Sequence, residues 1–297
     1  MLSLTTPTQY HQRAEKYFLT GNYIQAASLY EEAINIEPDV KSHYWYLGLM
    51  LLLQGQEVEA QTTWFMAMMD GEPEQVDAWN TELVTILQTE AERQESLKEY
   101  SIAEKIRRVI KEIYPQDIHN LLHLVLLSIK LEIYTGNDLQ DLGVIEILQF
   151  EPNIQVNFDL LMQVLEATLD YAPAHPSTLN FLEACLPYCQ DNTRALLTIL
   201  LPAAIEIAYS KRLPTVAAQL CELYLKLSPN NTEVIGQLAS FYQNAGQFDK
   251  GIETAKLYYS LVDDIADKVF ANRQILRGLM SAGGHWEESC SVNQRQE

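Results

Sequence analysis

The sequence predicts an all-α protein, an α-α superhelical solenoid of helical hairpins. Three observations carry that expectation. Leu, Ala, Glu and Gln, all good helix formers, are abundant. Only 12 Gly and 11 Pro occur in 297 residues, so turns are few and elements long. A repeat of 34 residues also runs through the N-terminal part: Ala14 recurs as Gly48, Gly21 as Gly55, Ala26 as Ala60, Tyr30 as Trp64 and Ala33 as Ala67. Pro38 recurs one place late, as Pro73.

Each repeated position has a physical reason. Small residues at Ala14 or Gly48, and at Ala26 or Ala60, let two antiparallel helices approach closely. Tyr30 or Trp64 fills the space between hairpins. Gly21 and Gly55 permit a tight turn with positive φ. Pro38 ends the second helix. A third hairpin is expected around Ala91, Tyr100, Ala103 and Pro115. A fourth is read from Ile118–Tyr134, a turn at Thr135–Asp138, and a helix over Leu139–Phe150 closed by Pro152. Asn157–Asn192 has helical periodicity, but Pro173, Pro176 and Pro187 interrupt it and no repeat is clear. Pro202–Tyr209 and Thr215–Leu227 make another hairpin, with Ala217, Tyr224 and Pro229 in register. Leu238, Ala239, Tyr242, Gly246, Phe248 and Gly251 mark the next. Gly278, Gly284, Trp286 and Ser289 mark a last one, expected to be incomplete at Glu297 because no polar capping helix follows. The resulting segments are 1–75 (two clear hairpins), 76–153 (two degenerate ones), 154–197 (irregular helical) and 198–297 (further hairpins).

Composition narrows the function. Hydrophobic residues make up 47%, enough to form a packed core. The net charge is −20, from 40 acidic and 20 basic residues, which disfavours nucleic acid and anionic membrane surfaces. The dense basic stretch, Ala103–Lys111, reads as a solvated helix face. The N-terminus lacks a signal-peptide pattern, and the longest apolar run, Leu47–Leu53, is too short to span a bilayer. The expected location is cytoplasmic. Four cysteines, Cys185, Cys189, Cys221 and Cys290, fit buried thiols in a reducing compartment.

The hairpin AEKYFLTGNYIQAASLYEEAINIEP matches the tetratricopeptide repeat (TPR) family at Ala14, Tyr17, Gly21, Tyr23, Ala26, Tyr30, Ala33 and Pro38. The fold expected from this resemblance is a solenoid of TPR-type hairpins. More narrowly, TTPTQYHQRAEKYFLTGNY, SHYWYLGLMLLLQGQ, NLLHLVLLSIKL and GLMSAGGHWEE resemble the N-terminal part of cyanobacterial proteins of the SPINDLY / O-linked N-acetylglucosamine transferase type. In those proteins a TPR array precedes a nucleotide-sugar-dependent catalytic half. The resemblance implies a recognition arm, with no catalytic residue carried over.

Sites of chemistry are few. No phosphate loop, nucleophile elbow or H-E-x-x-H motif occurs, so no catalytic residue, cofactor or metal is expected. His119 and His123 share one helical face next to Asp117. The alternative to metal binding is that Asp117 caps the helix while the imidazoles pack beside Leu122 and Leu126. Cys185 and Cys189 are either a redox pair or small buried hydrophobes. Gly283-Gly284 reads as a hairpin turn. The acidic pairs Glu31–Glu32, Asp263–Asp264 and Glu287–Glu288 read as solvated charge. A small metal- or thiol-dependent enzyme on these histidines or cysteines is the remote alternative to a binding scaffold.

A protein or peptide partner is expected in a concave groove lined by the first helix of each hairpin. Positions three before, one after and four after the small residue form its stripe. The stripe is His11, Glu15 and Phe18 in the first hairpin, and Trp45, Leu49 and Leu52 in the second. In the Ala239 hairpin it contains Gly236, Ser240 and Gln243, with Asn244 adjacent. Trp45 either anchors a partner side chain or packs, with Leu49, against the next hairpin. Gln243 and Asn244 are candidates for hydrogen bonds to a peptide backbone.

Overall fold

The computed structural model describes residues 7–151, 154–173, 175–188 and 201–282. Sixteen helices and no strand occur among the described residues. The chain divides into two compact units, Met1–Ile133 and Tyr134–Glu297.

The first unit holds three hairpins and a further helix. They are α1 (Pro7–Leu19) with α2 (Tyr23–Ile36), α3 (Lys41–Leu53) with α4 (Glu57–Met68), and α5 (Pro73–Ser96) with α6 (Tyr100–Ile113), followed by α7 (Ile118–Lys130). Helices pack chiefly on their sequence neighbours, α1 on α2, α2 on α3 and α3 on α4, and α3 also reaches α5. Such local, successive contacts are how hairpins stack. Ala14, Ala26, Tyr30, Gly48, Ala60 and Trp64, the repeat positions read from sequence, are all buried there. Helix α5 is 24 residues long, and this extension moves the third hairpin out of the 34-residue phase. Its start is set by Pro73 in the first turn and by a reciprocal pair of hydrogen bonds between Glu72 and Gln75.

The first helix of each regular hairpin ends in one motif. At the first turn Asn22 N–H donates to Tyr17 O at 2.8 Å and Gly21 N–H to Phe18 O at 3.0 Å. The same pair of bonds recurs after α3 at Gly55 and Gln56, after α5 at Lys98 and Glu99, and after α7 at Glu132 and Ile133. The pivot residue is left-handed every time. Gly21, Gly55 and Gly246 carry φ of 76°, 79° and 76°, whereas Lys98, Glu132 and Arg212 adopt 64°, 59° and 58° without being glycine. A side chain there costs roughly 1–2 kcal/mol of backbone strain. Nothing lies within 4 Å of a Cβ built on Gly55. Gly55→Ala is therefore expected to lower stability by about 1 kcal/mol through the backbone alone. Lys98→Gly, in the same turn of the next hairpin, should raise it by about 0.5 kcal/mol, since glycine's greater unfolded entropy offsets part of the gain. Urea midpoints of the two variants check this; equal shifts of one sign would refute it.

The second unit contains α8 (Asp138–Asp141), α9 (Val144–Phe150), α10 (Phe158–Tyr171), α11 (Pro176–Cys185), α12 (Leu201–Ser210), α13 (Pro214–Leu227), α14 (Thr232–Asn244), α15 (Phe248–Leu261) and α16 (Ile265–Ser281). From α12 onward each helix again packs on the next, and α14 also touches α16. The helix expected over Leu139–Phe150 is broken. Gly143 takes φ 79° between α8 and α9, so the segment forms two short helices instead of one. In the irregular centre, α10 and α11 are separate helices. Pro176 opens α11, and His175 Nδ1 accepts from Ser177 N–H at 3.3 Å. Pro152, Asn192, Gly283, Gly284, Trp286, Ser289 and Glu287–Glu288 lie outside the described residues, as do Cys189, Cys290 and Glu297.

Among the described residues no helix is long and apolar enough to cross a membrane.

Candidate peptide-binding grooves

In the first unit, α1, α3 and α5 bring their side chains to two clefts that share walls. One, of about 310 Å³, is lined by His11, Glu15, Phe18, Tyr30, Tyr46, Leu49, Thr85, Ile86, Thr89 and Glu90. The other, of about 460 Å³, is lined by His11, Ser42, His43, Tyr46, Glu82, Thr85 and Ile86. The floor is aromatic. Tyr46 stacks on Tyr30 with centroids 5.4 Å apart and planes 10° from parallel, and His11 lies 4.6 Å from Tyr46. Tyr30 Oη and His11 Nδ1 are 3.0 Å apart, within hydrogen-bonding reach. Both phenols are held above their ordinary pKa. For Tyr30 burial is the main cause, then Tyr46 and Glu15. For Tyr46 it is burial, then the Glu15 and Glu82 carboxylates. Both phenols are thus neutral at pH 7. At one end Arg93 sits 4.6 Å over the Phe18 ring and grips both oxygens of Glu90 at 2.7 Å. On α5, the Thr81, Thr85 and Thr89 hydroxyls donate to the carbonyls four residues back, so they sit on one helical row.

His11, Glu15 and Phe18 converge on one cleft, and Leu49 joins them, although little of it is exposed. Trp45 and Leu52 do not. Trp45 is 0% exposed and Leu52 5%, and both belong to the core around α3 and α4. The reason is Gly48. With no side chain there, Trp64 of α4 lies directly on α3 and its Nε1 donates to Trp45 O at 3.2 Å. The face with Trp45 is thereby turned into the core, and Ser42 and Tyr46 face the cleft instead. Trp45 packs inside, and it is not a partner anchor.

In the second unit α12, α14 and α16 line a cleft of about 610 Å³, again the first helices of hairpins. Gly236 and Ser240 of the expected stripe stand in it. Gln243 does not offer its amide to a ligand. It is buried and its Nε2 donates to Gln274 O. Asn244 Oδ1 accepts from Arg277 Nη2 at 3.0 Å. Sequence reasoning did not reach Tyr46, Thr85 and Ile86, nor Tyr209, Phe241 and Phe270. The threonine row at 81, 85 and 89 was a readable signal for the α5 face. The others depend on how far each helix is rotated about its axis.

Asp117 caps α7, accepting from His119 N–H at 3.1 Å and Asn120 N–H at 3.2 Å. His123 Nδ1 stands 3.0 Å from Glu95 Oε2. Among the described residues no group of three His, Cys, Asp or Glu is gathered as a metal site requires. Cys185 and Cys221 are buried, and burial, reinforced by the Glu222 charge, pushes the Cys221 thiol up to about 12, far from the range of a reactive thiolate. The Ala103–Lys111 stretch is not wholly a solvated face. Lys105 and Arg108 are exposed and paired with Glu57 (3.1 Å) and Glu104, but Arg107 is 2% exposed.

No family model and no curated protein matches the chain. Among solved structures it is similar to a tetratricopeptide repeat protein from Parabacteroides merdae, at 12% identity and TM-score 0.27, covering 97% of this chain and 98% of that one. It is also similar to the P58(IPK) TPR domain, at 14% identity and TM-score 0.21, with 98% and 99% covered. A third likeness is to Naa15/Naa10 bound to HypK-THB, at 15% identity and TM-score 0.26, covering 99% of this chain and 58% of the other. At such values the assignment of TPR-type hairpins rests on the chain's own repeat, its turns and its small-residue contacts.

Proposed function

We propose that this chain is a protein-interaction scaffold that holds a segment of a partner protein in the grooves lined by its first-of-hairpin helices. The observation that carries this reading is the first-unit cleft, where three successive first helices converge on an aromatic floor with Glu15, Glu82 and Glu90 also in the lining. Ligand sites of this kind pair apolar area with a few polar groups that fix orientation. Thr85 is exposed and lines both clefts, so a large side chain there fills the groove without entering the core. Thr85→Trp is expected to keep the helical content and to cut retention of native partner proteins by at least about tenfold, the scale of one hot-spot contact. Immobilised wild-type and variant chains, compared by quantitative mass spectrometry of what each retains, give the answer. An unchanged set of partners would reject the groove.

A narrower form of the proposal is the substrate-recruiting arm of a protein O-glycosyltransferase. It is supported by the four stretches that resemble the SPINDLY type. An immunoblot of the source cell tests it: a native band at the mass of this chain alone would sink the idea.

A further inference from the structure

We propose that the second-unit cleft docks a lysine- or arginine-bearing segment of a partner protein, with the cation held between aromatic rings and carboxylates. This rests on the scaffold reading and adds the chemistry of the partner. Two walls of the cleft carry exposed rings: Tyr209 of α12 is 63% exposed and Phe270 of α16 is 37% exposed. Each is supported from behind by a buried ring. Phe241 lies 5.8 Å from Tyr209, and Tyr258 meets Phe270 edge-on at 6.0 Å and 88°. Gly236 forms part of the lining. A Cβ there would come within 3.2 Å of the Tyr258 ring, so the glycine keeps α14 close to that ring.

Three carboxylates, Glu206, Glu233 and Asp267, line the same cleft, and none of its lining residues is Lys, Arg or His. Tyr258 feels this field. Its hydroxyl is raised by burial first, and then by the hydrogen bond and charge of Asp267. Glu233 and Asp267 fall in the first turns of α14 and α16, where a carboxylate complements the helix dipole. That accounts for these two charges, but not for Glu206 in mid-helix or for two large rings left open to water. Exposed ring faces beside carboxylates, with no cation in the lining, are what a cationic side chain selects, by cation–π and Coulomb attraction together.

The probe is a fluorescent octapeptide of alternating Arg and Gly, compared with its Gln-Gly counterpart, titrated by anisotropy against the full chain. The Arg peptide is expected to bind at least about tenfold more tightly. A chain of net charge −20 attracts any polycation, so the deciding variant leaves charge untouched. Tyr209→Ala with Phe270→Ala removes two cation–π contacts and should weaken the Arg peptide by about tenfold. Should that pair disturb folding by circular dichroism, Tyr209→Leu with Phe270→Leu keeps apolar area, loses the ring quadrupoles and must show the same weakening. Equal binding by the intact aromatic variant, or by the Arg and Gln peptides, overturns the proposal as diffuse charge attraction. If the peptide result is negative while Thr85→Trp still loses partners, the cationic ligand alone is rejected. If neither effect appears, the scaffold reading falls with it.

Discussion

Gly48→Ala is expected to destabilise the first unit by about 2–3 kcal/mol, although alanine is the better helix former. Intrinsic propensity favours Ala by about 1 kcal/mol in a helix interior. The packing is decisively against it. A Cβ on Gly48 would stand 2.1 Å from Trp64 Nε1, 2.4 Å from its Cε2 and 2.7 Å from its Cδ1. The indole cannot yield freely, because it is 4% exposed and its Nε1 donates to Trp45 O at 3.2 Å. Overpacking of this kind typically costs 1–3 kcal/mol, and displacing the indole also breaks a buried hydrogen bond. The first hairpin shows a pairing that avoids it: Ala14 and Tyr30, both buried, hold the repeat positions of Gly48 and Trp64. Adding Trp64→Tyr to Gly48→Ala therefore rebuilds the first hairpin's pair and should recover more than 1 kcal/mol, a non-additivity that a double-mutant cycle resolves. Three of the four tryptophans, Trp45, Trp64 and Trp79, lie in the first unit, so in a Trp286→Phe background urea unfolding followed by indole fluorescence reads that unit. A neutral or stabilising Gly48→Ala would show that α3 and α4 are not in this close contact.

These particular residues also show what was legible beforehand. The period of 34 requires small residues where helices pack closely, and Ala14, Ala26, Gly48 and Ala60 are all buried in helices that pack on one another. Glycine at a turn marks a left-handed residue, so Gly21, Gly55 and Gly246 were readable. Lys98, Glu132 and Arg212 were not, because stacking energy imposes the same φ on residues that do not prefer it. The groove was harder. Stripe positions on α1 converged on the cleft, but on α3 the same rule selected Trp45 and Leu52, which are buried. Periodicity places residues on a common face and leaves open which way that face points. A change of size at these repeat positions, Gly48 and Trp64 in place of Ala14 and Tyr30, alters how neighbouring helices meet. On α14, Gln243 was chosen for its amide, yet tertiary packing turned that amide toward Gln274.

The third hairpin departs furthest from its pattern, and breaking its substitute should have the largest effect. Arg107 occupies the position that Tyr30 and Trp64 hold in the first two hairpins, so a guanidinium sits where a ring would fill the core. It is 2% exposed. Glu95 of α5 accepts from its Nε at 2.5 Å, and Asn120 of α7 accepts from Nη1 at 3.3 Å while donating to Arg107 O at 2.9 Å. His123 binds the second Glu95 oxygen. One charge pair thus ties α5, α6 and α7. Removing one member strands the other, and Glu95→Ala is expected to cost about 3–5 kcal/mol. Replacing both, Glu95→Ala with Arg107→Met, should recover most of the loss, since a buried pair exchanged for apolar side chains is often near neutral.

The pair has a pH signature as well. Burial pushes the Glu95 carboxyl up, but the His123 hydrogen bond and the charges of Arg107 and His123 outweigh it, and its pKa lies below the ordinary value. A carboxyl lowered on folding stabilises fully above its unfolded pKa, about 4.3, and loses that contribution as pH falls through the lower folded value. Wild-type first-unit stability should therefore decline below about pH 5 more steeply than that of Glu95→Ala with Arg107→Met. Parallel pH profiles for the two proteins would mean that Glu95 does not hold Arg107 by its charge, and the account of this hairpin would have to be rebuilt on packing alone.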